Sequence, residues 1–132
     1  MYILTIEESF AAAHQLRGYK GKCENLHGHN WKVVLSVKGS VLNDIGLLVD
    51  FGDLKAMLRE TLAELDHHNL NEVTSFMKHN PSSENIARYI SDRISEKLSG
   101  SQTAPAIIDS VTVWESATSR CTYIPDAGKD KK

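Results

Sequence analysis

The sequence predicts an α+β domain in which two helices cover one face of a four-stranded antiparallel sheet, in the order β-β-α-α-β-β. Two observations carry this prediction. Near both ends of the chain, apolar residues alternate with polar ones, which is the period of a half-buried strand. The middle of the chain carries two apolar stripes at spacings of three and four, which is the period of a helix. Strand pairs that flank two helices favour an antiparallel sheet with both helices on one side.

Length and composition favour one ordinary globular domain. The chain has 132 residues, so we expect one core and a single domain over residues 1–125, with a polar tail over 126–132. The formal net charge of −2 gives no basic field for nucleic acid. No apolar run is long enough to span a membrane, and the first residues lack a signal-peptide pattern. Two cysteines far apart predict no disulfide framework, so we expect a cytoplasmic protein with reduced thiols.

The first strand is predicted from Tyr2 to His14, and its apolar face ends in that histidine. Residues of one parity face the same side of a strand, and only Glu8 interrupts the apolar set on this side. The set comprises Tyr2, Leu4, Ile6, Phe10, Ala12 and His14.

The second strand has an apolar face from Trp31 to Val37, and two histidines of the same parity precede it. The Cα atoms of His27 and His29 are expected to lie about 7 Å apart, since a strand rises about 3.3 Å per residue. Side chains at that spacing can converge on one metal ion. Gly28 lies between them and leaves room on the opposite face, where a backbone or a ligand could approach.

An antiparallel hairpin of these two strands brings His14 close to His27 and His29. Three neutral imidazoles with an open fourth position are typical of a catalytic zinc site, whereas a structural zinc site is usually closed by four ligands. Cys23 lies in the connecting loop, where it could reach the metal without binding it. Any one of these histidines, taken alone, is more often an ordinary polar side chain, and the combination is what favours a metal site.

The first helix is predicted to begin at Asp50, a good N-cap, with Asp53 in its first turn. The short run from Ile45 to Val49 before it is strand-like or extended. The apolar stripe of the helix comprises Phe51, Leu54, Leu58, Leu62 and Leu65. Beyond this stripe, Asp66 and His67 have two interpretations. They form a cap and a loop, or an adjacent acid and imidazole that transfer protons.

The second helix is predicted to begin at the N-cap Ser82, with Glu84 in its first turn, and to stop near Gly100. Its buried stripe comprises Ile86, Ile90, Ile94 and Leu98. Two strands follow, from Ile107 to Glu115 and from Arg120 to Ile124.

The third strand places one acid at the end of an apolar face. That face comprises Ile107, Val111, Val113 and Glu115, with Asp109 between them. Burial of a charge needs a partner. Without such a partner, Glu115 would simply have reached solvent at the strand end.

Several motifs together resemble the 6-pyruvoyl-tetrahydropterin synthase family. Phe10-x-Ala12-Ala13-His14 and Cys23-x-x-x-His27-Gly28-His29-Asn30 are similar to its metal and cysteine motifs. The short gap between Cys23 and His27 resembles the bacterial 6-carboxy-5,6,7,8-tetrahydropterin synthase branch. Leu65-Asp66-His67-x-x-Leu70, the segment Ser82-Ser83-Glu84 and Glu115 extend the resemblance over nearly the whole chain.

The resemblance implies a role for each of these residues. His14, His27 and His29 would bind Zn²⁺, and Cys23 would act as a thiolate base. Asp66 and His67 would be the second proton-transfer pair. Glu115, with Ser82, Ser83 and Glu84, would hold the pterin, although Ser82-Ser83 departs from the family's usual pattern, which has at least one threonine there. The implied fold is the tunnelling fold (T-fold), assembled as a hexamer of two trimers with active sites between subunits.

The implied activity is that of a zinc-dependent carbon–carbon lyase. It would convert 7,8-dihydroneopterin triphosphate to 6-carboxy-5,6,7,8-tetrahydropterin, acetaldehyde and triphosphate, on the route to 7-deazaguanine and queuosine. The 6-pyruvoyl activity, which stops after triphosphate loss, is an alternative. Glu24 beside Cys23 leaves a side activity of a folate-precursor relative open. A zinc- or pterin-binding protein without catalysis is a further alternative.

Overall fold

The computed structural model describes residues 1–18, 25–100 and 105–126, and over these residues the chain is α+β as predicted. The elements are β1 (Tyr2–His14), β2 (His27–Gly39), α1 (Phe51–Ala63), β3 (His68–Asn69), α2 (Ser83–Ser99), β4 (Ile107–Ser116) and β5 (Ser119–Tyr123). Two short 3₁₀ turns, Leu70–Glu72 and Thr74–Phe76, connect β3 to α2.

The sheet has five strands in the order β3-β1-β2-β4-β5. The pairs β1–β2, β2–β4 and β4–β5 are antiparallel, as predicted. The prediction of four strands and a purely antiparallel sheet is wrong, because the chain after α1 adds a short edge strand parallel to β1. This strand pairs only His68 with Ala12 and Asn69 with Ala13, and two residues are too few to show an alternating pattern.

The hairpin of β1 and β2 is continuous over thirteen residue pairs, from Tyr2↔Gly39 to His14↔His27. Its register places Ala12 opposite His29. The predicted parity is confirmed for Ile6, Phe10, Ala12 and His14, which are all buried, whereas Tyr2 at the start of the strand is 49% exposed. The inward face of the hairpin therefore carries the apolar core along most of its length and three histidines at one end.

The predicted inward face of β4 is wrong at its beginning. Ile107 is 60% exposed, whereas Ile108 is only 5% exposed. The pairing with β2 shifts between Ser36 and Val37, so that Asp109 is an extra residue on β4. Such a bulge reverses the faces of all residues on one side of it.

The first helix begins as predicted. Asp50 is the N-cap, and its carboxylate accepts hydrogen bonds from the backbone N–H groups of Gly52 (2.7 Å) and Asp53 (3.2 Å). The helix ends at Ala63, and Leu65 is buried in the turn beyond it. The run from Ile45 to Val49 forms no strand. The buried residues of the helix are Leu54, Leu58, Thr61 and Leu62.

The second helix also follows its sequence pattern. The hydroxyl of Ser82 accepts a hydrogen bond from the backbone N–H of Asn85 at 3.2 Å, and Gly100 is the C-cap. Its predicted stripe is buried against the sheet: Ile86, Ile90, Ile94 and Leu98. None of the helices within the described ranges is long and apolar enough to cross a membrane.

Candidate metal centre and active site

Three histidines lie together at the open end of the β1–β2 hairpin. His14 is the last residue of β1, and His27 and His29 are the first and third residues of β2. One ring nitrogen of each lies within 4.8 Å of the others. The strand period places all three side chains on the inward face, so the three residues can hold one metal ion.

Hydrogen bonds fix the tautomers of two of these rings. The Nδ1–H of His14 donates to the carbonyl oxygen of Pro81, and that of His27 donates to the carbonyl oxygen of Asn25, both at 2.7 Å. A carbonyl can only accept, so each Nε2 of the neutral rings carries a lone pair. The two Nε2 atoms lie 3.0 Å apart. Two lone pairs at this distance repel each other unless a cation or a proton lies between them.

Burial favours the metal over the proton. Burial lowers the pKa of His14, and the hydrogen bond to Pro81 and the charge of Glu115 only partly oppose this effect. Burial also lowers the pKa of His29, against the opposing charge of Glu115. The Nε2 atom of His29 is buried and has no hydrogen-bond partner among the described residues. Neutral imidazoles with free ring nitrogens are the form that binds Zn²⁺ and similar ions.

The indole ring of Trp31 packs against the histidine cluster. Its buried ring packs edge-on against His14 and His29, with centroids 4.9 and 5.2 Å apart. Its indole N–H donates to the carbonyl oxygen of Ala12 at 3.2 Å. The sequence predicted that Trp31 shares a strand face with His27 and His29, because the three residues have the same parity, but it did not predict the packing of the ring against His14. The role of the Pro81 carbonyl was also missed, because a backbone acceptor leaves no signal in the residue type.

Glu115 faces the histidines from β4. Its Oε2 lies 3.9 Å from Nε2 of His14, and its Oε1 lies 3.8 Å from Nε2 of His29. The hydroxyl of Ser83 donates a weak hydrogen bond of 3.4 Å to Oε2. Of the three residues expected to assist Glu115, the structure therefore brings only Ser83 to it, while Ser82 caps α2 and Glu84 is an exposed residue of the first turn.

Asp66 and His67 form the expected pair. Nδ1 of His67 lies 3.0 Å from Oδ2 of Asp66, while Oδ1 accepts a hydrogen bond of 2.9 Å from the backbone N–H of Ala11. These interactions, with the Ala11 hydrogen bond the largest, hold the pKa of Asp66 below its ordinary value. The carboxylate therefore stays charged and can orient the imidazole.

His67 adopts a conformation that non-glycine residues rarely take. Its φ of 59° lies in the left-handed region, and such strain is often found at functional sites. The backbone N–H of His67 donates to the carbonyl oxygen of Ala11 at 2.6 Å, which holds the residue beside β1. Its side chain is 81% exposed, so the ring is free to meet a substrate or a second chain.

An open cleft connects this pair with the hairpin. It is lined by Gly28 and His29 of β2 and by His67 and His68. Among the described residues, a Cβ atom on Gly28 would meet no atom closer than the carbonyl oxygen of Ala12 at 3.9 Å, so they leave open space above this glycine. His68 also lines the cleft, and its Nδ1–H donates to the carbonyl oxygen of Asp66 at 2.7 Å.

Of the two cysteines, Cys121 lies in the described part of the chain and Cys23 does not. Cys23 lies outside the described residues, so its place beside the metal stays a prediction. Cys121 is half-buried on β5, and burial raises the pKa of its thiol. A raised pKa makes Cys121 a poor nucleophile.

The fold and the site define a class of α+β proteins that carry three histidines able to hold a metal ion, together with an acid–imidazole pair. The model of the 6-pyruvoyl tetrahydropterin synthase family matches residues 3–126. The chain therefore belongs to the 6-pyruvoyl tetrahydropterin synthase family, whose T-fold it shares.

The chain is similar to two bacterial proteins of known name and to one solved structure from an animal. A 6-carboxy-5,6,7,8-tetrahydropterin synthase of Haemophilus influenzae is 31% identical, covering 93% of this chain and 99% of that protein. The protein of the same name from Synechocystis is 37% identical, covering 93% of each. The structure of the Caenorhabditis elegans 6-pyruvoyl tetrahydropterin synthase superposes with a TM-score of 0.77 at 29% identity, covering 96% of this chain and 98% of that one.

Proposed function

We propose that the protein is a zinc-dependent lyase that converts 7,8-dihydroneopterin triphosphate and water to 6-carboxy-5,6,7,8-tetrahydropterin, acetaldehyde and triphosphate. The observation that carries the metal-dependent chemistry is the pair of Nε2 atoms of His14 and His27, 3.0 Å apart with both Nδ1–H groups engaged by carbonyls. This arrangement leaves two lone pairs aimed at one point. Carbonyl groups that accept from the second nitrogen are also what orients metal-binding histidines in general.

The residues fit Zn²⁺. His14, His27 and His29 would hold it, since three imidazoles with an open position form a catalytic zinc site. Nickel or cobalt would also accept three imidazoles, so the choice of zinc follows the family and not the ligand set. Bound zinc would supply Lewis acidity that makes nearby hydroxyl and carbon-bound protons of the substrate easier to remove.

The residues of the chain would then bind the substrate and move its protons. The carboxylate of Glu115 would accept hydrogen bonds from the amino group and ring N–H of the pterin, a donor pair that a carboxylate matches with two oxygens. His67, oriented by Asp66, would take or give a proton, and Cys23 would serve as the second base. Proton transfer would expel triphosphate, and cleavage of the side chain would release acetaldehyde.

The carboxy product is favoured over the pyruvoyl product by two observations. The gap between Cys23 and His27 is short, as in the carboxy branch. The bacterial relatives that match over 93% of this chain carry the carboxy name. The 6-pyruvoyl activity is the second candidate, because the animal protein with a similar structure carries that name.

A product assay separates these functions. Zinc-loaded protein is incubated with 7,8-dihydroneopterin triphosphate, and the pterin and acetaldehyde are identified by mass spectrometry. We expect acetaldehyde together with 6-carboxytetrahydropterin. A pyruvoyl product without acetaldehyde would place the protein in the neighbouring branch, and an unconsumed substrate would leave only binding without catalysis.

The proposed setting of the reaction follows the family. The product would feed 7-deazaguanine and queuosine synthesis in the cytoplasm, and the protein would contact neither RNA nor a membrane. It would act as a hexamer of two trimers, with Asp66 and His67 of one subunit serving the metal site of another. The high exposure of the His67 side chain supports such an arrangement.

A further inference from the structure

The edge of β1 next to β3 continues beyond the strand through backbone hydrogen bonds at residues of one parity. Ala11, in β1, donates to the carboxylate of Asp66 at 2.9 Å and accepts from the backbone N–H of His67 at 2.6 Å. Gln15 and Arg17 have the same parity and follow the end of the strand. Alternate residues of an extended chain direct their N–H and C=O groups to the same edge, so these two residues extend the edge that holds the acid–imidazole pair.

Two asparagine side chains pair with this extension as a neighbouring strand would. Asn71 accepts from the backbone N–H of Gln15 at 2.9 Å and donates to its carbonyl oxygen at 3.0 Å. Asn80 makes the same two hydrogen bonds with Arg17, both at 2.9 Å. A carboxamide carries an acceptor and a donor side by side, so it can satisfy both backbone groups of one edge residue.

Asn80 directly precedes Pro81, whose carbonyl oxygen accepts from the Nδ1–H of His14 at 2.7 Å. Both Pro81 and His14 are buried. Asn80 is held a second time, because its own carbonyl oxygen accepts from the side-chain amide of Asn85 at 2.8 Å. The proline ring fixes the φ angle of Pro81 and restricts the backbone of the residue before it. A displacement of Asn80 would therefore move the Pro81 carbonyl as well.

The position of this carbonyl decides which ring nitrogen of His14 faces the other histidines. With the Nδ1–H engaged, Nε2 carries the lone pair and lies 3.0 Å from Nε2 of His27. Metal-binding histidines depend on such an acceptor at the second ring nitrogen, and its loss typically lowers metal affinity by about 10–100-fold. The acceptor here belongs to the backbone, so its position depends on the side chains that hold that backbone.

We propose that Asn80 is a positioning residue of the metal centre. Its paired hydrogen bonds with Arg17 hold the segment before α2 against the end of β1, and this pairing keeps the Pro81 carbonyl at the Nδ1–H of His14. Asn80 acts through Pro81 and not by contact with the metal. The inference rests on the proposed function, in which His14 is a metal ligand.

The zinc affinity of Asn80→Ala tests the inference. The affinities of the variant and the wild type are measured by competition with a chromophoric chelator, with circular dichroism to show that the variant is folded. We expect the affinity to fall about tenfold, because the acceptor of the His14 ring loses its fixed position. Wild-type affinity in the folded variant would overturn the inference.

Asn43→Ala is the matched control. Asn43 lies in the loop between β2 and α1, and its side chain accepts from the backbone N–H groups of Ile45 (3.1 Å) and Leu47 (3.0 Å). This asparagine also holds a loop with two hydrogen bonds, but beyond the end of β2 that lies opposite the histidines. We expect Asn43→Ala to keep the zinc affinity of the wild type. An equal fall in both variants would reveal a general effect of loosened loops and remove the positioning role.

Asn80→Asp takes the place of Asn80→Ala if the alanine variant does not fold. The carboxylate keeps the acceptor for the N–H of Arg17, but it cannot donate to the carbonyl of that residue. Its negative charge would by itself favour a cation, so weaker zinc binding by this variant reports lost positioning and not a change in charge. Binding as tight as that of the wild type, or tighter, would contradict the inference.

Nitrogen NMR of His14 gives a second readout that needs neither metal nor turnover. The nitrogen chemical shifts of the metal-free protein distinguish a ring nitrogen that carries a hydrogen from one that carries a lone pair. We expect the Nδ1–H tautomer in the wild type and in Asn43→Ala, and a mixture of both tautomers in Asn80→Ala. The Nε2–H tautomer in the wild type, or an unchanged spectrum of His14 in Asn80→Ala, would refute the inference.

The outcomes distinguish the two proposals. Product formation by the wild type together with unchanged zinc affinity in Asn80→Ala would overturn only the role of Asn80. Weakened zinc binding in Asn80→Ala without any turnover by the wild type would overturn the proposed reaction and leave this role standing. A wild type that binds no metal would overturn both.

Discussion

At the scale of single residues, the site depends on which ring nitrogen of each histidine is already engaged. The carbonyl oxygens of Pro81 and Asn25 take the Nδ1–H groups of His14 and His27, and this leaves both Nε2 atoms directed at one point. Burial lowers the pKa of His14 and thereby disfavours a proton as the alternative occupant. The chemistry of the centre thus follows from two backbone contacts as much as from the histidines.

Removal of one ligand tests the metal centre. We expect His27→Ala to lose bound zinc, with a fall in affinity of at least about tenfold, because two imidazoles remain where three were. Elemental analysis of the purified variant after dialysis measures the zinc content. His79→Ala, which removes an exposed histidine, is the control and should retain the zinc of the wild type. One zinc per chain in His27→Ala would remove His27 from the ligand set.

The Asp66 carboxylate predicts a pH dependence of stability. The hydrogen bond from Ala11, followed by the interaction with His67, lowers the pKa of Asp66 below its ordinary value of 3.8. A carboxyl group with a lowered pKa stabilises the folded state above the unfolded pKa, and this contribution is lost as the pH falls through the folded pKa. The stability advantage of the wild type over Asp66→Asn should therefore be constant near neutral pH and shrink below about pH 4.

Urea unfolding at a fixed protein concentration, at neutral pH and at several values below pH 5, measures this difference. Asp44→Asn, an exposed carboxylate in the loop before α1, is the control for the change in charge alone. An advantage of the wild type over Asp66→Asn that stays the same across the series would show that the Ala11 contact does not perturb Asp66.

At the scale of the elements, the β1–β2 hairpin does most to place the site. Its unbroken register from Tyr2↔Gly39 to His14↔His27 places the three histidines on the same face as the buried core residues. The bulge at Glu115 then directs a carboxylate from β4 to the same point. The register of the hairpin sets which side chains of β1 and β2 meet. The bulge in β4 sets the direction of the Glu115 side chain toward them.

At the other end of the same hairpin, Gly39 lies where the structure leaves no room for a side chain. A Cβ atom on Gly39 would lie 2.6 Å from the Cδ1 atom of Leu48 and 2.7 Å from the carbonyl oxygen of Pro105. The leucine can shift, but the carbonyl belongs to the backbone before β4. We expect Gly39→Ala to lower the free energy of unfolding by about 1–3 kcal/mol, as overpacking does in other cores.

Chemical denaturation of Gly39→Ala beside Gly100→Ala checks this requirement. A Cβ on Gly100, the C-cap of α2, would meet nothing closer than 3.7 Å in the part of the chain that the structure describes, so this control should show no loss of stability. Equal stability of the two variants would mean that the segment around Pro105 moves aside at no cost.

At the scale of the whole molecule, the sheet has two free edges within the described chain, at β3 and at β5. Open edges are usually covered or paired, and the family resemblance implies that trimers pair them. The pair of Asp66 and His67 lies beside the β3 edge, with its imidazole exposed. An edge of this kind would bring the pair to a neighbouring subunit.

Subunit complementation tests that arrangement. His27→Ala removes the metal side of a site and His67→Ala removes the proton-transfer side, so each variant alone should be nearly inactive. If a site combines two subunits, unfolding and refolding the two variants together should restore about one quarter of wild-type activity, since random mixing pairs the intact halves in about that fraction of sites. Light scattering of each variant confirms the assembly, and a mixture as inactive as its components would place both halves in one chain.

The sequence by itself determined the elements that have a local pattern: the two alternating strands, the two capped helical stripes, and the meeting of His14, His27 and His29 at one end of a hairpin. Strand parity and capping are local rules, so they can be read from neighbouring residues. Only the tertiary structure decided the edge strand beside β1, the bulges at Asp109 and Glu115, the left-handed backbone of His67 and the carbonyl of Pro81 against His14. Each of these depends on contacts between segments distant in the chain, and such contacts leave no periodic trace in the residues that make them.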